Sequence, residues 1–205
     1  MYIPPHFQIK DNDIANRIMK ENSFATVIST KDGLPEATQL PLLLDAENEY
    51  LYGHFARPNL QWKNIENGLV LVVFQGPHCY ISPSWYETKT AVPTWNYVSV
   101  QVTGKAYLIN DEQELTSYMR QLVQQYEDID STYKLEEVDA NYLKGLNKGI
   151  QAFKIKINKI EGITKLSQNH SSERQALVIQ NLEQKEAENE RKIAALMKDN
   201  LHKGN

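Results

Sequence analysis

The segment GHFARPNLQW, residues 53–62, sets a guanidinium, a proline and an amide side by side. Proline suits the first position of a helix, where its missing N–H costs nothing. It also holds the residue before it in an extended conformation. Pro58 is therefore expected to open a short helix, with Arg57 just outside it and unpaired backbone amides pointing the same way. A guanidinium beside a helix N-terminus is the outline of a phosphate site. A plain helix start with a solvated arginine fits the same local pattern. Within this helix Trp62 is expected in the core.

A second polar cluster lies at KLSQN, where Lys165, Ser167, Gln168 and Asn169 crowd a cation, a hydroxyl and two amides into one short run. Such density suits either a turn with side-chain capping or the wall of a polar ligand site. Upstream, Lys144, Lys148, Lys154, Lys156, Lys159 and Lys165 face Glu161 alone, a local basic excess in a chain of formal net charge -4. It reads either as a solvated strand face or as an attraction for phosphate on a ligand or on DNA. A third stretch, SPSWYETKTAVPTWNY, residues 82–97, carries Trp85, Tyr86, Trp95 and Tyr97 between prolines 83 and 93. Rigid apolar faces with polar edges serve an aromatic ligand or a subunit interface. A loop of this length inside a compact domain is usually functional.

Several chemistries are absent from the pattern. There is no nucleophile elbow, no metalloprotease histidine pair, no phosphate-binding Walker loop and no dinucleotide fingerprint after a strand. The histidines at 6, 54, 78, 170 and 202 stand far apart, so no metal site is assigned, and no catalytic residue either. The single cysteine, Cys79, excludes an internal disulfide and reads as a small buried hydrophobe. No window approaches about eighteen apolar residues, and MYIPPHFQIKDND has neither a basic lead nor an apolar core. A cytoplasmic protein without a membrane partner is expected.

The elements that must position these residues read as follows. DNDIANRIMKEN opens with a helix capped by Asp11 or Asp13. SFATVIST and LPEATQLPLLL form a hairpin about Asp32-Gly33. YLYGHF, LVLVVFQG, HCYIS and TWNYVSVQVTGKAYLI follow as strands, with Gly104 at a bulge or bend. LVLVVFQG is expected to be buried on both faces, with HCYIS as its partner. NDEQELTSYMRQLVQQYE is a helix with Asp111 and Glu114 in capping-box spacing. A short helix and the strand QAFKIKINKIEGI complete an antiparallel barrel or sandwich. The organisation expected is one main domain, residues 1–168, and an amphipathic helical extension, residues 169–205, in which Ile193, Leu196, Met197 and Leu201 keep helical spacing.

Taken together, GHFARPNLQW, FQGPHCYISPSWYETKTAVPTWNY and KLSQN resemble the PaiB-type family of FMN-binding negative transcriptional regulators, and MYIPPHF is similar too. The resemblance implies a mainly β fold with peripheral helices, an FMN-binding split β-barrel that forms homodimers and holds FMN between subunits. It carries cofactor contacts onto Arg57 and Asn59, with His54 before them, onto Lys165, Ser167 and Gln168, and onto Trp95 and Asn96. One departure concerns the A-T-H-L-P segment, where this chain has Gln39, which hydrogen-bonds but does not titrate near neutral pH. The function implied is repression of protease production and sporulation genes, with DNA reached directly or through a partner protein. The alternative is an FMN-dependent oxidoreductase of the pyridoxine phosphate oxidase or flavin reductase type, in which the flavin carries the electron chemistry.

Overall fold

The computed structural model describes residues 1–203. The final two positions of the C-terminal extension, and the side chain of Lys144 in the basic run, lie outside the described residues. The fold is mainly β with helices, as the sequence leads one to expect. Its strands are β1 (Phe24–Lys31), β2 (Leu34–Pro41), β3 (Leu43–Leu44), β4 (Tyr50–Ala56), β5 (Leu69–Ile81), β6 (Thr94–Leu108) and β7 (Ile150–Lys165). Their hydrogen-bonded order is β2-β1-β5-β6-β7-β4-β3. The helices are α1 (Asn12–Glu21), α2 (Trp62–Ile65), α3 (Glu112–Tyr126), α4 (Ala140–Asn147), α5 (Ser172–Glu183) and α6 (Glu188–Lys203). The chain forms two compact units. Unit 1 contains Met1–Asn22, Phe74–Gln101 and Ile160–Asn205, and unit 2 contains Ser23–Val73 and Val102–Lys159.

In unit 2 the β1–β2 hairpin turns at Asp32 and Gly33, with φ of 51° and 80°. Positive φ at both central residues is the turn whose twist matches the flanking strands, and it sets Lys31 opposite Leu34. β4 pairs antiparallel with β7, bringing Gly53 opposite Phe153. The core collects Val27, Leu51, Phe55, Val72, Phe153 and Ile155, with the Phe55 and Phe153 rings stacked 4.8 Å apart. Gly104 lies within β6. A β-carbon there would run into the Lys156 carbonyl oxygen and the Ile155 side chain, so the glycine permits close strand approach. α3 begins as expected, with the Asp111 side chain accepting from Glu114 N at 2.8 Å. The reciprocal half of the capping box is not used, because the Glu114 carboxylate instead takes Lys154 Nζ at 2.6 Å. α3 packs Leu115, Tyr118, Met119 and Leu122 on Leu43, Ile109 and Ala152.

In unit 1, α1 is capped by Asp11, whose side chain accepts from Asp13 N at 2.8 Å. Such a cap contributes about 0.5–2 kcal/mol. The helix buries Ala15, Ile18 and Met19, and a fully buried side chain of Met19's size contributes about 1.5–3 kcal/mol. The extension forms α5 and α6, which pack on one another and bury Val178, Leu182, Ile193 and Met197. Leu196 and Leu201 keep partial exposure.

The sequence reading of β5 needs correction. LVLVVFQG and HCYIS are not paired strands but one strand, and its burial alternates rather than covering both faces. Val70, Val72, Phe74 and Gly76 point inward, then Cys79 and Ile81. The inward face thus passes from even to odd positions across Pro77–His78. A glycine-proline pair at that shift has the local look of a turn, while the strand runs through it.

Candidate functional site

The Arg57 segment is a turn, not a helix start. β4 ends at Ala56, the Arg57 N–H donates to Gly149 O at 2.7 Å, and Asn59 N donates to Ala56 O at 2.9 Å. Pro58 lies in this turn, and α2 begins only at Trp62 and lasts a single turn. The expectation of a helix opened by Pro58 is therefore corrected. Proline, which lacks a backbone donor and holds a fixed φ, is tolerated in turn positions. The anion-binding reading passes from backbone amides to side chains.

Those side chains are held from several directions. Arg57 Nη1 donates to Gln151 Oε1 at 2.8 Å. Gln151 is itself buried, its amide donating to Ile109 O and Ala152 O. The Arg57 guanidinium lies over the Trp62 ring at 5.3 Å, and Lys63 Nζ lies over the same ring at 5.4 Å. Trp62 is thus a half-buried platform for two cations, not the core residue expected. Its indole N–H donates to Arg57 O at 3.0 Å, closing the turn. Arg57 is exposed, and the bond to Gln151 uses only one of the several N–H donors of a guanidinium.

Beneath the turn runs a network that spacing alone does not reveal. Asn59 Nδ2 donates to Thr38 Oγ1 at 2.8 Å, and Asn59 Oδ1 accepts from Gln61 N at 3.0 Å. Thr38 Oγ1 donates to Gln61 Oε1 at 2.5 Å. Gln61, 4% exposed, sends its amide to Val27 O, Ser29 Oγ and Glu36 O. It ties the turn to the β1–β2 hairpin. Gln39, also on β2, is exposed and stands opposite Thr26 in the ladder. His54 on β4 places Nδ1 2.7 Å from Tyr118 OH. Burial lowers the His54 pKa and pushes the Tyr118 phenol well above its ordinary value.

The remaining sequence-predicted residues belong to unit 1. Asn96 and Ser167 are both buried and face one another, amide nitrogen to hydroxyl at 3.0 Å and hydroxyl to amide oxygen at 3.2 Å. Asn96 also reaches Met197 Sδ at 3.4 Å. Ser167 holds a φ of 63° in the turn after β7. Gln168 closes that turn, accepting from Leu166 N at 2.7 Å and donating to Thr164 O at 2.5 Å. KLSQN is therefore a turn capped by Gln168, while Ser167 pairs with Asn96 and Lys165 Nζ donates to Thr94 Oγ1 at 2.5 Å. Trp95 is 52% exposed and lies near the His78 and Tyr80 rings. Among the described residues no group of His, Cys, Asp and Glu is placed to hold a metal ion, and no helix is long and apolar enough to cross a membrane.

The structure thus brings Arg57 and Asn59 into one turn, adds Lys63, Trp62, Gln61, Thr38 and Gln151 to it, and gathers Asn96, Lys165, Ser167 and Gln168 around another. Thr38 on β2 and Gln151 on β7 lack a sequence signal, since each reaches the turn from another strand, whereas Gln61, Trp62 and Lys63 follow it directly in the chain.

Comparison with known proteins now decides the family. Residues 1–159 match the family model described as "Putative FMN-binding domain". The chain belongs to this FMN-binding family. It is 40% identical to "Protease synthase and sporulation protein PAI 2" from Bacillus subtilis over 207 residues, covering 99% of each chain. Among solved structures it is similar to the flavocytochrome Anf3 from Azotobacter vinelandii, with a TM-score of 0.63 and 16% identity over 80% of this chain and 72% of that one. It is likewise similar to an FAD- and heme-binding protein from Mycobacterium smegmatis, with a TM-score of 0.61 and 14% identity over 77% of this chain and 73% of that one. At such identities the likeness is one of fold. The residues present fit FMN at its phosphate end: Arg57 retains N–H donors toward solvent, and Lys63 brings a second cation to the same turn.

Proposed function

We propose that this protein is a homodimeric FMN-binding regulator that restrains protease production and sporulation. The observation that carries the reading is the match to the FMN-binding family over a segment that includes the two-cation turn at Arg57 and Lys63. Its regulatory half is supported by the full-length relationship to the Bacillus subtilis protein, whose name joins protease synthesis and sporulation.

In this reading Arg57 pairs with the flavin phosphate by charge-assisted hydrogen bonds, and Lys63 adds charge beside it. Asn59 holds the turn's shape through Thr38 and Gln61, while Gln39 and His54 lie on strands β2 and β4. Flavin, when bound, supplies one- and two-electron redox chemistry. Self-association uses the exposed aromatic surface at Trp95 and Tyr80, which is supported by the exposure of both rings. Regulation reaches DNA through a partner protein. The formal net charge is -4, and on α6 Lys192 and Lys198 pair with Glu188 and Glu183, which leaves this helix little charge for phosphates.

The test is an absorption spectrum between about 350 and 500 nm, taken after FMN addition and desalting, with sedimentation equilibrium on the same sample. A retained flavin band on a dimer is expected. A colourless monomer sinks the reading. Sustained NADH or NADPH oxidation by the yellow protein would instead favour the oxidoreductase alternative, and deletion of the gene without any rise in secreted protease would remove the regulatory half.

A further inference from the structure

Lys165 ends β7 in surroundings that the Arg57 turn does not share. Its one hydrogen bond goes to the Thr94 hydroxyl, burial lowers its pKa from the ordinary lysine value, and no carboxylate pairs with it among the described residues. Lys165 is half-buried, and even partial burial of a cation without a counter-charge carries a cost. It borders a cavity of ≈ 360 Å³ in unit 1, whose walls also include Phe7, Tyr86 and Val92.

The other charged groups at this wall are already accounted for. Arg174 Nε donates to both carboxylate oxygens of Glu87 at 3.0 and 3.1 Å, and its Nη2 adds a further bond to Glu87 Oε1 at 2.5 Å. The same guanidinium lies 4.8 Å over the Tyr86 ring. This latch ties the loop after the Pro83–Trp85 turn to the first turn of α5 and fixes Tyr86 as a wall. His170 is held toward its neutral form by burial and by Arg174. Among the described residues, Lys165 is the single unmatched charge facing the cavity. The buried pair Asn96 and Ser167, also at its lining, holds the adjoining backbone.

The geometry points to a second binding site, separate from the flavin turn, for a small organic monoanion whose head group pairs with Lys165 and whose apolar body lies against Tyr86, Val92 and Phe7. One unmatched cation balances one negative charge, whereas a phosphate dianion would ask for a second. The anion replaces the water that burial removed from the ammonium, and the apolar walls contribute by excluding water from its body. Lys165 is thereby assigned to this ligand and not to the flavin.

Benzoate, benzenesulfonate and the neutral benzyl alcohol are the probes, titrated by calorimetry into the full chain and into Lys165→Met, with FMN affinity measured on the same preparations. Both anions should bind the unaltered chain, benzyl alcohol should bind at least about tenfold more weakly, and Lys165→Met should weaken benzoate by at least about tenfold. FMN affinity should not change in Lys165→Met. Thr94→Val, which removes only the hydroxyl that orients the ammonium, should weaken benzoate by a smaller factor in a protein with an unchanged core. No anion binding to the unaltered chain, or benzoate binding that survives Lys165→Met, overturns the proposal. Loss of flavin affinity in Lys165→Met overturns it too, because Lys165 would then serve the flavin. Absence of FMN binding alongside Lys165-dependent benzoate binding sinks the flavin reading alone and supports this site.

Discussion

Arg57 and Trp62 clamp each other from both ends. The guanidinium carbon lies 5.3 Å from the centre of the indole ring, and the indole N–H donates to the arginine's own carbonyl at 3.0 Å. The side chain is thus presented to solvent in a set orientation, so its loss should register in binding more than in folding.

For Arg57→Ala, FMN affinity is expected to fall by about tenfold to a hundredfold, the range of a lost charge-assisted hydrogen bond of about 1.5–3 kcal/mol. Arg57→Lys should recover part of it, because the charge stays while the planar fork is lost. Quenching of free FMN fluorescence measures both. Unchanged affinity in the alanine variant would remove Arg57 from the site.

Gln61 acts in the opposite manner. Replacing it by leucine leaves Val27 O, Ser29 Oγ and Glu36 O without the amide that now serves them. A loss of about 2–3 kcal/mol in folding stability is expected, read as a lower urea midpoint at unchanged slope. A midpoint within experimental scatter of the unaltered chain would show that the hairpin holds the turn without it.

His54 makes stability depend on pH. Burial lowers its folded-state pKa, so below the unfolded value of about 6.5 the unfolded chain binds a proton that the folded chain resists. By linkage, stability is full above that value and falls as the pH drops toward the folded pKa. His170 is shifted in the same direction. His54→Gln should therefore flatten, without abolishing, the decline in Tm between about pH 7 and 5. A parallel decline in both proteins would mean that His54 titrates freely.

Cys79 is 3% exposed, and burial, with a smaller contribution from Glu190, pushes its thiol up to about 12. Thiol chemistry requires the thiolate and access to it. A thiol-reactive dye should give no fast release from the native protein near pH 8 and a full release in denaturant. Rapid native labelling would contradict the burial.

What was legible in the sequence followed local chemistry. The Asp11 cap, the Asp32-Gly33 turn and the Asp111 cap of α3 each depend on residues a few positions apart, and each appears where its spacing requires. β5 runs through the break expected of it because Gly76-Pro77 carries only the local mark of a turn, whereas cross-strand pairing decides the outcome. The Arg57 segment was found by its proline and arginine, but the rule for helix starts gave the wrong element. Nothing local distinguishes Pro58 in a turn from Pro58 at a helix start. Gln61, Gln151 and Tyr118 were invisible because their partners lie on other strands, and an isolated glutamine or tyrosine has no spacing to read.

Neither compact unit is a continuous piece of chain. One is assembled from stretches at both termini and the middle, the other from the two intervals between them, and β5, β6 and β7 each begin in one and finish in the other. No truncation of the coding region can therefore deliver either unit as a stand-alone module. A protease nick at three of the four places where the chain passes from one to the other would sever a strand, while the fourth, Asn22–Ser23, lies between α1 and β1.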